Sequence, residues 1–63
     1  MTSDSLWGPQ DVANFLGVPL KTVYGWRHAR IGPPAYKVGR HLRYDPEQVQ
    51  RWLEAQAQPQ GAA

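Results

Sequence analysis

No cysteine occurs in the 63 residues. Disulfides and thiolate metal sites are therefore excluded, and with them a stapled secreted scaffold. No apolar run approaches the roughly 20 residues of a membrane span. Residues 1–8 lack the basic start and apolar stretch of a signal peptide. A soluble cytoplasmic protein with no membrane partner is expected. No Gly-rich phosphate loop and no Ser–His–Asp set are present, and Asp11, Asp45 and Glu47 are accounted for as helix starts. An enzyme is not expected. His28 and His41 stand without a cysteine or an acidic cluster, so no metal, cofactor or small-molecule ligand is expected either. One further absence is local. Between residues 21 and 43 there is no Asp or Glu, while Lys21, Arg27, Arg30, Lys37, Arg40 and Arg43 all fall there. The net charge is only +2, because both flanks are mildly acidic. One face of the folded chain is thus expected to be strongly positive.

What remains must fold as one small domain, marginal but able to stand alone. Three Trp, three Tyr and Phe15 supply the large apolar surfaces that such a domain needs. Residues 1–5 are polar and read as a flexible start. Residues 6–56 read as the domain, and 57–63, low in apolar content, as a disordered tail.

The stretch from Pro9 to Trp26 organises the chain. Gly8 suits an N-cap and Pro9 the first helical position, where a missing N–H costs nothing. Trp7 is placed to pack back on the first turn as a hydrophobic staple. A first helix runs from about Pro9 to Leu16, burying Val12, Ala13 and Leu16 with Phe15 at the margin. Gly17 ends it, and Val18 turns into the core. A second helix runs from about Leu20 to Arg30, starting at Pro19 without a side-chain cap. Val23 and Trp26 face inward. Lys21, Thr22, Tyr24, Gly25, Arg27 and His28 cannot all be buried, so most face outward. Two short helices joined by a tight turn, with small residues at Ala13 and Gly17 where the backbones approach, form a helix-turn-helix pattern. Its second helix is the one usually presented to the DNA major groove.

Ile31-Gly32-Pro33-Pro34 stops the second helix. Alternation then resumes on both sides of Gly39-Arg40-His41 and predicts a β-hairpin. Its inner face is read as Tyr36, Val38, Leu42 and Tyr44. Its outer face and tip are Lys37, Arg40, His41 and Arg43. Such a hairpin is marginal alone and must lean on the helices. Asp45-Pro46-Glu47-Gln48 opens a third helix with an N-cap Asp, Pro at the first position and Gln three residues after the cap. Val49, Trp52 and Leu53 give its apolar stripe. The fold class is mainly α with a small hairpin: a winged helix-turn-helix with a two-stranded wing between helices 2 and 3.

Residues DVANFLGVPLKTVYGW and PPAYKVGRHLRYDPEQVQRWL together resemble the MerR-like and excisionase-type small winged helix-turn-helix family of phages and mobile elements. The resemblance spans about residues 6–54. It includes Ala13, Gly17, Trp26, the Gly39-Arg40 turn, Tyr44 before an Asp-Pro start, and Trp52-Leu53. Trp7-Gly8 and Pro19 depart from the Ser or Thr caps common there. The resemblance implies that the second helix enters the major groove of duplex DNA and that the wing reaches the adjoining backbone or minor groove. Lys21, Thr22, Tyr24, Arg27 and His28 are then the candidate recognition residues. Lys37, Arg40, His41 and Arg43 are the wing candidates. Arg27 suits guanine and Thr22 a thymine methyl. Arg40 suits a narrow minor groove, while Lys37 and Arg43 suit phosphates. Neutralising about 4–6 phosphates implies a log–log salt slope of roughly −4 to −5.

Three functions are compatible with these residues. The first is an excisionase that bends attachment-site DNA, binds beside neighbouring copies and contacts an integrase. The second is a small transcriptional regulator of a mobile element. The third, from another class, is a protein-interaction module with no role on DNA.

Overall fold

The computed structural model describes residues 5–57. Most of the expected flexible start and disordered tail, residues 1–4 and 58–63, lies outside the described residues. The order of elements is α1 (Pro9–Leu16), α2 (Leu20–Ala29), β1 (Tyr36–Val38), β2 (His41–Arg43) and α3 (Pro46–Ala55). Three helices and one antiparallel hairpin make the mainly helical winged helix-turn-helix that the sequence predicts.

Helix starts follow the local chemistry. Gly8 caps α1, and its N–H donates to the Asp11 carboxylate at 2.9 Å. This is the returning half of a capping box, with no side chain on the cap to supply the other half. Pro19 caps α2 without a side-chain bond, and the Thr22 N–H donates to its carbonyl at 2.9 Å. Asp45 caps α3, but its carboxylate accepts from the Glu47 N–H at 3.0 Å rather than from Gln48. Gln48 does not close a box. Its side-chain oxygen accepts instead from the Tyr36 hydroxyl at 3.1 Å, tying the wing to α3.

The α1 and α2 ends share a design. Gly17, at φ 72°, donates to the Ala13 carbonyl, as does Val18. Arg30, at φ 64°, donates to the Arg27 carbonyl, and Ile31 donates to Trp26. Each end is a left-handed stop that satisfies the last carbonyls. The sequence predicts α2 to about Arg30, whereas Arg30 is the left-handed residue just beyond it.

The core consists of Val12, Ala13, Val23, Tyr44 and Val49, each no more than 2% exposed. Trp7, Leu16, Val18, Trp26, Ala35 and Leu42 pack around it. The α1 and α2 helices meet directly. Helix α3 closes the assembly through Val49 and through Trp52, whose ring lies 5.3 Å from that of Trp26. One expected core position of the helices moves outward. Leu53 is 43% exposed, so the α3 stripe is narrower than its sequence spacing implies. Phe15 is exposed on the rim of α1, the marginal position expected for it. Trp7 packs on Phe15, ring centroids 5.2 Å apart, and also lies against the core cluster.

The larger correction concerns the wing. Its loop has two residues, Gly39 and Arg40, and not three. The pairs are Tyr36 with Arg43, Lys37 with Leu42, and Val38 with His41. Gly39 takes φ 63° at the first loop position, where a tight hairpin of type II′ calls for glycine. Directly paired residues share a face. Leu42 and Tyr44 therefore face the core together with Lys37. Tyr36 and Val38, read as inner residues, lie with His41 and Arg43 on the opposite face and are about half exposed. A one-residue difference in loop length inverts every side chain of the first strand. An isolated bridge extends the wing at its base: Trp7 and Tyr44 exchange two backbone hydrogen bonds at 2.8 Å each. The residue before α1 is thereby clasped to the residue that leads into α3.

Candidate nucleic-acid interface

Helix α2 turns its apolar edge, Val23 and Trp26, toward the core. Opposite that edge, at spacings of three, four and seven, stand Lys21, Tyr24, Gly25 and His28, all exposed. A Cβ added at Gly25 would meet no atom within 4 Å, so nothing inside the domain requires glycine there. Thr22, partly buried, lies on the flank away from the wing. Arg27 lies on the other flank, between the exposed stripe and the hairpin.

A concave groove separates α2 from the wing. It encloses about 470 Å³ and is lined by Tyr24, Arg27, His28 and Arg30 from the helix and by Lys37, Arg40 and Leu42 from the hairpin. Its lining holds four cations and no carboxylate. Arg51, the one basic residue outside the middle stretch, lies elsewhere on α3 and pairs with Glu47 at 3.6 Å. Leu42, which lines the groove, also packs against the core. Burial raises the Tyr44 hydroxyl above its usual value near 10, and the positive charge of Arg27 partly offsets this. Arg27 is therefore close enough to act electrostatically on the base of the wing.

The structure brings together five of the nine candidate residues: Tyr24, Arg27, His28, Lys37 and Arg40. Lys21 and Thr22 belong to the first turn of α2 and are not part of the groove wall. His41 and Arg43 stand on the far face of the wing. Arg43 is partly buried, its guanidinium donates to the Leu42 carbonyl at 2.8 Å, and the same nitrogen lies 3.6 Å from where a Gly8 Cβ would be. This geometry gives Arg43 a place in the junction between the wing and the start of α1. Arg30 joins the groove although it is not among the sequence candidates. Reading it as an ordinary helical residue hides its position, because the left-handed backbone redirects it. Among the described residues, no cluster of three metal-ligating side chains occurs, and no helix is long and apolar enough to cross a membrane.

An exposed polar helix beside a cationic cleft is the outline of a domain that holds a polyanion. Residues 8–57 match the helix-turn-helix domain family. The chain belongs to that family, and DNA is the partner class that its fold serves. Comparison with curated proteins and with solved structures gave no match.

Proposed function

We propose that the protein binds duplex DNA sequence-specifically, with the Lys21–Tyr24–His28 face of α2 in the major groove and the wing on the adjoining strand. One observation carries the reading: the groove between α2 and the wing presents Arg27, Arg30, Lys37 and Arg40 with no carboxylate, directly beside the exposed helix stripe. Phosphate contacts in the groove set the register, and base contacts from the stripe select the sequence. Arg27, between the two, is positioned for either role.

The task we assign to this binding is that of an excisionase, acting on DNA in the cytoplasm of a bacterial host. Two separate contacts on one small domain favour a curved DNA path. Bending a site costs several kcal/mol, of the order of 1–6 by elastic estimates. Contacts with neighbouring copies and with an integrase would offset that cost. Gel shifts on an attachment-site fragment are expected to show a ladder of complexes, and integrase-mediated excision is expected to require the protein. Excision that proceeds equally well without it removes the recombination role. Control of transcription would then be the use of the same DNA contacts.

A further inference from the structure

Helices α1 and α2 end in the same left-handed stop, but the residues that make it differ. Gly17 fills it in α1, where glycine has no steric penalty. Arg30 fills it in α2, and it is the one non-glycine residue with positive φ among the described residues. A side chain in that conformation is strained, because its Cβ crowds the carbonyl oxygen. Glycine would relieve the strain, and asparagine would tolerate it better. No side-chain partner among the described residues repays the arginine. Its side chain makes no hydrogen bond or ion pair with any described residue. Its charge is placed among Arg27, Lys37 and Arg40 in a groove without an acid, so like charges repel in the free protein. Favourable interaction with the helix dipole is open to it, but Arg27 and His28 already occupy the last turn of α2. A strained, unpartnered cation held in a cationic groove is a cost to the fold on two counts. Strain of this kind concentrates where a ligand needs it.

We infer that Arg30 is a phosphate-binding residue, held in the groove by its left-handed backbone so that its guanidinium meets the DNA strand running between α2 and the wing. The inference rests on the DNA reading above and deepens it: among the groove cations, Arg30 is the one whose backbone is strained to make its contact. It requires stability and affinity to move in opposite directions when Arg30 is replaced. A residue kept for structure would move them together.

The test uses the full chain with two probes: a random-sequence 20-base-pair duplex, and the best duplex recovered by selection with the wild-type protein. Binding is followed by anisotropy from about 50 to 200 mM salt. Arg30→Gly and Arg30→Asn are expected to weaken binding about 5- to 10-fold on both duplexes alike. They should leave the ratio between the duplexes unchanged and make the log–log salt slope shallower by about one. In the same samples the Tm of Arg30→Gly is expected to rise by a few degrees. Arg30→Lys, which keeps the charge, should stay within about threefold of wild type. Neutral variants that bind as tightly as wild type with the same salt slope overturn the inference. So does a lower Tm for Arg30→Gly with a loss of binding that only follows the unfolded fraction. If the wild-type chain itself shows no salt-dependent binding to either duplex, the DNA reading fails first, and that result is distinct from a failure at Arg30.

Discussion

The two faces of the wing are built from the same kinds of residue and serve different ends. On the near face Lys37 and Leu42 look across the groove at α2, with Arg40 at the tip. On the far face Tyr36 is bonded to α3 through Gln48, and Arg43 is folded back on the Leu42 carbonyl beside the start of α1. Basic charge alone does not distinguish them. What does is whether the cation already has a partner inside the domain. Arg43 has one and Arg40 has none among the described residues. The comparison teaches that a basic hairpin can commit part of its charge to holding itself in place, and the near face is the one we propose for DNA.

Four measurements can break or sharpen this contrast. The largest effect should come from the residue beneath both faces. Tyr44→Ala removes a side chain that is 2% exposed, and is expected to cost about 3–5 kcal/mol, enough to unfold so small a domain. Thermal melts by circular dichroism would show it, and a well-folded variant would mean that the wing stands without its base. Next come the groove cations. Arg27→Ala and Arg40→Ala should each weaken DNA binding by about 1–3 kcal/mol with the melting temperature nearly unchanged. Arg27→Ala relaxes discrimination at one base position if Arg27 reads a base, and weakens all sequences alike if it holds a phosphate.

The far face should respond in the opposite sense. Arg43→Ala is expected to lower stability by about 1 kcal/mol through its lost hydrogen bond and packing, with little change in affinity for a given amount of folded protein. His41→Ala should change neither by more than about 0.5 kcal/mol. A large loss of affinity at either position would erase the distinction between the faces. The smallest effect is alkaline. The Tyr44 hydroxyl is raised in the folded state by burial, so the unfolded chain loses this proton first. Below its ordinary value near 10 the group contributes no pH dependence, and above it the folded state is progressively destabilised. Tyr44→Phe should therefore flatten the fall in stability above about pH 10, as followed by denaturant midpoints against pH.

Much of this architecture is legible in the sequence because glycine and proline punctuate it. Pro9, Gly17 and Asp45-Pro46 fix helix boundaries through local backbone chemistry, and those boundaries hold. The wing is harder for a physical reason. With only three residues per strand, alternation alone does not choose a register, and the outcome turns on whether Gly39-Arg40 closes the loop without His41. Leu42 and Tyr44 come out as read because they are anchored by the core. Tyr36 and Val38 do not, because the loop decides their face. Within the candidate site, helical spacing is enough to collect Tyr24, Arg27 and His28. The departure of Arg43 depends on a contact with the start of α1 that is remote in sequence. The placement of Arg30 depends on a sign of φ that its residue type argues against.

The clasp between Trp7 and Tyr44 has a consequence for how the chain reaches this state. It is the longest-range backbone pairing among the described residues, and nearly everything that serves the groove lies between its two ends. The helical turns and the two-residue hairpin can form from neighbours in sequence within microseconds. Closing the clasp instead carries the entropy of a long loop. Topology therefore predicts an order of events in which the groove's parts form early and closure of the clasp then fixes them in one arrangement. Refolding followed at a probe beside Trp7 should report a slower phase than one followed within α2.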